Sequence, residues 1–102
     1  MSDAEFSNWL SISGEITQLE PQRFTPAGVP IVEAVLLHRS TQTIGKTNRQ
    51  VECELTVQAS AEMAGVLGQH SLGSRVKCQG VLNRRSVNSR QLMLILSELE
   101  KE

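Results

Sequence analysis

Apolar and polar residues alternate along several segments of the chain, and this period of two predicts β-strands. On the first predicted strand, one face carries Leu10, Ile12 and Ile16. Gly14 falls in the middle of this strand, where a missing side chain permits the bend that a small barrel needs. The pattern predicts five strands, at residues 8–18, 31–38, 51–58, 74–80 and 91–97.

One segment, 60–68, has features of a short helix instead. Ser60 is a suitable N-cap, Glu62 suits the first turn and Gly68 can close the end. The order of three strands, a helix and two strands is typical of an OB-fold. We predict an all-β, five-stranded OB-fold barrel with one short helix between strands 3 and 4. Another small Greek-key barrel or an α+β sandwich stays open, because a sequence indicates strands better than their pairing.

With 102 residues, the chain is long enough for one domain with a modest core. We expect a disordered N-terminus at 1–7, a single OB-fold domain at 8–99 and a C-terminal tail at 100–102. No apolar run approaches the roughly 20 residues that span a bilayer, and the polar, acidic start does not resemble a signal peptide. We therefore expect a cytoplasmic protein with no membrane contact.

Two of the predicted strands, 31–38 and 91–97, are apolar on both faces. An antiparallel strand in an isolated barrel needs only one apolar face. These strands therefore predict a second covering surface, and a homodimer interface is its simplest source.

No group of residues in the sequence predicts catalysis or cofactor binding. Ser, His and acidic residues do not occur at a catalytic spacing, and there is no Gly-rich phosphate loop. Cys53 and Cys78 are too few and too isolated for a disulfide framework or a zinc site, so we expect both to be small core residues. We predict that the protein is not an enzyme and uses no metal, cofactor or small-molecule substrate.

Charge is distributed unevenly, although the formal net charge is only −1. Between Arg23 and Arg90 there are nine Lys or Arg and four Glu, and the basic residues concentrate in two predicted loops, 38–50 and 83–90. Basic loops between short strands are typical of a surface that follows a phosphate backbone. Arg75 and Lys77 are different, because they share an outward face with Glu15 and fit a cross-strand ion pair.

Three motifs add a family resemblance: Thr25-Pro-Ala-Gly-Val-Pro30, Val35-Leu-Leu-His-Arg-Ser40 and Gly73-Ser-Arg-Val-Lys-Cys-Gln-Gly80. In this order they resemble the PriB family (primosomal replication protein N) of the bacterial replication-restart primosome, over roughly residues 8–99. The resemblance implies an OB-fold homodimer, similar to single-stranded DNA-binding proteins, without catalytic activity. It also implies binding of single-stranded DNA, contacts with the helicase PriA and with DnaT, and a role in reloading the replicative helicase at stalled forks.

The predicted nucleic-acid contacts combine this resemblance with the charge pattern. Arg23, Arg39 and Arg49 match basic positions of the family, and Arg84, Arg85 and Arg90 take the place of its basic residues between strands 4 and 5. The charge pattern adds Lys46, and Phe24 is the aromatic residue next to Arg23 that is available for stacking.

One departure from the family favours a second hypothesis. The family can carry aromatic residues in or just after the strand 2–3 loop, whereas this chain has Thr47 and Glu52 there. Base–aromatic stacking contributes about 1–3 kcal/mol per base, so the chain is expected to bind DNA modestly. The exposed Glu52 and Glu54 would also repel phosphate. The alternative is a protein-interaction adaptor that stimulates a helicase and binds DNA only weakly.

Overall fold

Strands account for most of the computed structural model, which describes residues 6–102. Of the predicted disordered segment 1–7, residues 1–5 lie outside the described residues. The elements are β1 (Leu10–Leu19), β2 (Arg23–Phe24), β3 (Pro30–Ile44), β4 (Thr47–Ser60), α1 (Glu62–Gly68), β5 (Arg75–Arg84) and β6 (Leu92–Lys101). The five predicted strands and the helix are all present, and β2 is a short addition. Within the described residues, no helix has the length and apolar character needed to cross a membrane.

The strands form one sheet that closes on itself. Their order is β1-β5-β6-β4-β3-β2, and an additional pairing between β1 and β3 closes the barrel. Only the β4–β6 pairing is parallel among the strands of residues 6–102. The prediction of a five-stranded OB-fold barrel with one short helix is confirmed.

Barrel closure depends on a change of partner along β1 next to Gly14. Residues 10–15 pair with β5, and residues 15–19 pair with β3. A Cβ atom at Gly14 would lie 2.5 Å from the carbonyl oxygen of Leu37 and 2.8 Å from Leu36 Cγ. Only glycine lets the two backbones approach this closely.

The core is built from alternate residues of the strands, and α1 covers one end of it. Each fully buried aliphatic side chain contributes roughly 1.5–3 kcal/mol. The core residues are Ile16, Val32, Ala34, Leu36, Val57, Ala59, Ala64, Leu67, Val76, Cys78, Leu94 and Leu96. Cys78 is buried as predicted, but the prediction for Cys53 is wrong, because Cys53 lies opposite His38 near the end of the core and is exposed.

The basic segment 38–50 was predicted to be a loop, and this prediction is wrong. The segment forms the outer part of a long β-hairpin. β3 and β4 keep one register from Ile31↔Ser60 to Ile44↔Thr47. Gly45 has φ 65°, the positive value that the first central position of a type II′ turn requires. The strand pattern is missing from the sequence because residues 41–50 are exposed throughout. Without a core on one side, nothing selects apolar residues at alternate positions.

Three predicted element boundaries are also wrong. β5 continues to Arg84 instead of ending at Gly80, so the predicted loop 83–90 begins inside this strand. Ser60 is not the helix N-cap, because it is still paired with Ile31 as the last residue of β4. Ala61 precedes the helix instead, with φ 55° and no side-chain cap. β6 continues to Lys101 instead of ending at Ser97. A β-bulge opposite Gln79 and Gly80 interrupts the register there, which breaks the period of two at the point where the strand was predicted to end.

Candidate nucleic-acid interface

The outward face of β3 carries one buried carboxylate, that of Glu33. Its neighbours Val32 and Ala34 face the core, so strand alternation turns Glu33 away from the core. The residue is nevertheless only 7% exposed. A buried carboxylate requires hydrogen-bonding partners, and these come from three other parts of the chain.

Two arginines and one glutamine donate to Glu33. Arg23 Nη2 lies 3.2 Å from Oε2 and Arg85 Nη2 lies 3.2 Å from Oε1. Gln58 Nε2, on β4, donates to Oε2 at 3.0 Å. Arg23 belongs to β2 and Arg85 follows the end of β5, so one carboxylate joins β2, β3, β4 and the β5–β6 connection. We call Arg23, Glu33, Gln58 and Arg85 the Glu33 cluster.

The Glu33 cluster keeps its carboxylate ionised. Burial on its own raises the pKa of Glu33, but hydrogen bonds from Gln58 and Arg23, together with the positive charges of Arg85 and Arg23, outweigh it. The net result is a pKa below the ordinary value of a glutamate side chain. At neutral pH, two guanidinium groups and one carboxylate leave the cluster with a net positive charge.

Both arginine side chains of the cluster stay accessible to solvent. The Arg23 side chain is 54% exposed and that of Arg85 is 44% exposed. A guanidinium group has five N–H donors, and each arginine contacts Glu33 through one nitrogen. The remaining donors are available to an anion that approaches from solvent.

Arg39 lies on the same outward face of β3, six residues beyond Glu33 and therefore about 20 Å away. Arg39 Nε donates to Glu52 Oε2 at 3.1 Å, and the two side chains are 70% and 61% exposed. Exposed ion pairs of this kind contribute about 0–1 kcal/mol. Arg39 is thus free to exchange Glu52 for a phosphate at little cost.

Phe24 is the exposed aromatic residue beside the cluster. It is 63% exposed and lies opposite Pro30, so alternation turns it away from the side that Arg23 faces. The adjoining turn is closed by hydrogen bonds from Thr25 N to Val29 O and from Gly28 N to Thr25 O, at 2.9 and 2.8 Å. An exposed ring on a closed turn is suited to stacking on a base.

The other predicted contact residues are spread more widely. They are all exposed: Lys46 in the turn of the hairpin, Arg49 opposite Gln42, Arg84 at the end of β5, and Arg90 in the connection to β6. Alternation places Arg49 on the opposite face of the hairpin from Arg39. The structure therefore brings Arg23 and Arg85 together and puts Arg39 on their face, but it does not bring Arg49 to that face.

Two further expectations concern residues outside this surface. Glu15 lies directly opposite Arg75 in the β1–β5 register, as predicted. These two side chains, however, form no ion pair within 4.0 Å. Among residues 6–102, no three His, Cys, Asp or Glu side chains are grouped as a metal site would require.

Sequence reasoning missed Glu33 and Gln58 as members of the site. The signal for Glu33 was present, because a glutamate within the apolar stretch 31–37 must find positively charged partners if it is buried. Which arginines it contacts depends on tertiary structure, since Arg85 is 52 residues away in sequence.

Known proteins resemble this chain in both sequence and fold. A family model described as another single-strand binding protein family matches residues 8–98. The replication restart protein PriB of Nitrosomonas europaea is 38% identical over 87 residues, which cover 85% of this chain and 81% of that protein. PriB of Photorhabdus laumondii is 35% identical over 79 residues, which cover 76% of this chain and 74% of that protein.

Solved structures agree with these matches. A structure of PriB from Ralstonia solanacearum superposes with a TM-score of 0.88 at 32% identity and covers 95% of this chain and 99% of its own. A small single-stranded DNA-binding protein from Streptomyces coelicolor has a TM-score of 0.71, with 96% of each chain covered, and at 19% identity it shares the fold. The chain thus belongs to the single-strand binding protein family, within the group of replication restart proteins called PriB.

Proposed function

We propose that the protein is a single-stranded DNA-binding accessory protein of the replication-restart primosome, and that the outward face of β3 and β4 is its DNA-binding surface. The observation that carries this proposal is the convergence of Arg23 and Arg85 over Glu33. In OB-folds, this face and the loops on either side of it commonly contact oligonucleotides. The names of the matching relatives support the same function.

The proposed mechanism is the placement of positive charge along a flexible polyanion. Arg23, Arg39 and Arg85 contact phosphates on the outward face, and their contacts release counterions from the DNA, so affinity falls as salt rises. Lys46, Arg84 and Arg90 extend the charged track along the hairpin and the β5–β6 connection, and Arg49 adds positive charge on the opposite face of the hairpin. Phosphate contacts carry no base information, so we expect little sequence preference. Phe24 supplies one stacking surface, on the opposite side of β2 from Arg23.

We further propose that two copies associate through the first half of β1. Among residues 6–102, β5 is the one strand that pairs with residues 10–14, and pairing with β3 begins at Glu15. An unpaired strand edge is a template for another strand, and the exposed Trp9 lies beside this edge. A homodimer would double the length of the positively charged track.

The proposed partners follow from the family. We propose contacts with the helicase PriA and with DnaT, by which the protein assists reloading of the replicative helicase at stalled forks in the cytoplasm. In this role the protein has no catalytic activity of its own, because its contribution is to hold DNA and partners in place.

A titration of labelled oligo-dT, followed by fluorescence polarisation at two salt concentrations, tests the DNA-binding function. We expect binding at micromolar or lower protein concentration. Replacing Arg84, Arg85 and Arg90 with alanine should weaken binding and lower the salt slope by about 0.7 for each phosphate that is no longer neutralised. An unchanged slope would remove this connection from the DNA-binding surface.

The second candidate function is a protein-interaction adaptor that stimulates the helicase and binds DNA only weakly. Glu52 and Glu54 on the outward face favour it, as does the lack of aromatic residues in the hairpin. An adaptor would leave the polarisation of oligo-dT unchanged at micromolar concentration until the helicase is added. This result would replace the first proposal.

A further inference from the structure

We propose that Glu33 is a positioning residue for nucleic-acid binding, which holds Arg23 and Arg85 side by side so that both guanidinium groups contact one phosphate. The inference rests on the proposed DNA-binding function and deepens it. It also reverses the expectation for an acidic residue on a DNA-facing sheet, which is that it repels the ligand.

The geometry of the carboxylate is the first support. Each carboxylate oxygen of Glu33 accepts a hydrogen bond from a different arginine, at 3.2 Å in both cases. The two guanidinium groups are therefore separated by one carboxylate. Two oxygens of a phosphate have a spacing similar to that of the two carboxylate oxygens, and they are also negatively charged. A phosphate that approaches from solvent can therefore bridge the same two groups from the opposite side.

Burial distinguishes Glu33 from the other acids of this face. Glu33 is 7% exposed and lies beneath its arginines, whereas the Glu52 side chain is 61% exposed. A phosphate therefore meets the two guanidinium groups first, and their combined charge exceeds that of the carboxylate below them. Gln58 provides a third hydrogen bond, which fixes the carboxylate to β4.

Positioning is needed because both arginines have long, partly exposed side chains on short segments. Arg23 belongs to a strand of two residues, and Arg85 begins the exposed connection between β5 and β6. Without Glu33, the two positive charges repel each other and each long side chain samples many rotamers. Binding a phosphate would then carry the full entropic cost of ordering both side chains.

The variant Glu33→Gln tests this role, with Glu52→Gln as the matched control. Both variants remove one negative charge from the same face of the sheet, and neither changes side-chain size appreciably. We expect Glu33→Gln to bind labelled oligo-dT about three- to tenfold more weakly, the size of one weakened charge-assisted hydrogen bond. Glu52→Gln should bind equally well or more tightly. Thermal unfolding of each variant verifies that it is folded.

Tighter binding by both variants would overturn the inference, because it would mean that Glu33 only repels DNA. Failure of the unchanged protein to bind oligo-dT would overturn the proposed function and this inference with it. If Glu33→Gln does not fold, Arg23→Ala, Arg85→Ala and the double variant give the answer instead. If both arginines contact one phosphate, the double variant should lose less binding free energy than the sum of the losses in the two single variants. Additive losses would overturn the proposal.

Discussion

At the scale of single residues, Glu33 has structural as well as electrostatic consequences. Its carboxylate accepts hydrogen bonds from Arg23, Gln58 and Arg85, which lie on three different parts of the chain. Removing one charged group of a buried ion pair leaves the charge of the other group uncompensated. Because both arginines are about half exposed, water replaces part of these interactions, and we expect Glu33→Gln to lower the free energy of unfolding by about 1–2 kcal/mol at neutral pH.

This stabilisation should depend on pH in a defined direction. The pKa of Glu33 is lower in the folded chain than its ordinary value of 4.5. The stabilisation is therefore fully present above pH 4.5 and is lost as the pH falls through the folded pKa. Urea unfolding of the unchanged protein and of Glu33→Gln at a series of pH values should show two stabilities that converge in acid. A difference that stays constant down to the lowest pH would contradict the lowered pKa.

At the scale of elements, β1 controls closure of the barrel. It changes partner from β5 to β3 at Gly14, where its backbone nearly touches that of Leu37. The change of partner is possible only because no side chain separates the two strands.

Gly14→Ala should therefore destabilise the protein by about 1–3 kcal/mol, the range typical of overpacking. The new Cβ would lie 2.5 Å from a backbone oxygen, which has little freedom to move. Gly65→Ala is the matched control, because no atom beyond its chain neighbours and its own helix backbone lies within 4 Å of its Cβ position on α1. That variant should gain up to about 1 kcal/mol from helix propensity. Equal effects of both variants on chemical denaturation would contradict the role of Gly14.

A strand could be predicted from the sequence only where one of its faces packs against the core. The strands that line the core were predicted, since burial on one face imposes alternation on residues such as Val32, Ala34 and Leu36. The outer part of the hairpin was not, because both of its faces meet solvent. The arginines of the candidate site were predicted from the charge pattern and the family resemblance. Their pairing with Glu33 was not, because it joins positions separated by 10 and 52 residues.

At the scale of the whole molecule, the edge of β1 at residues 10–14, which has no second strand partner within the described part of the chain, predicts self-association. Light scattering should give twice the chain mass of 11.2 kDa for the unchanged protein. Ser11→Glu places a charge on this edge in each copy, and like charges at the junction should shift the mass to that of one chain. Ser86→Glu, on the exposed connection between β5 and β6, is the control and should leave the mass unchanged. A dimer that survives Ser11→Glu would point to another interface.

The outer part of the β3–β4 hairpin contains none of the core residues. Its residues 41–50 pair only with each other, so evolution can lengthen or shorten this arm without disturbing the barrel. Within the arm, a change by an odd number of residues on each strand exchanges the faces of the side chains beyond it, whereas Arg39, on the core side of the arm, keeps its face. We therefore expect the length of this arm to vary among homologues more than the face on which the residue equivalent to Arg39 lies.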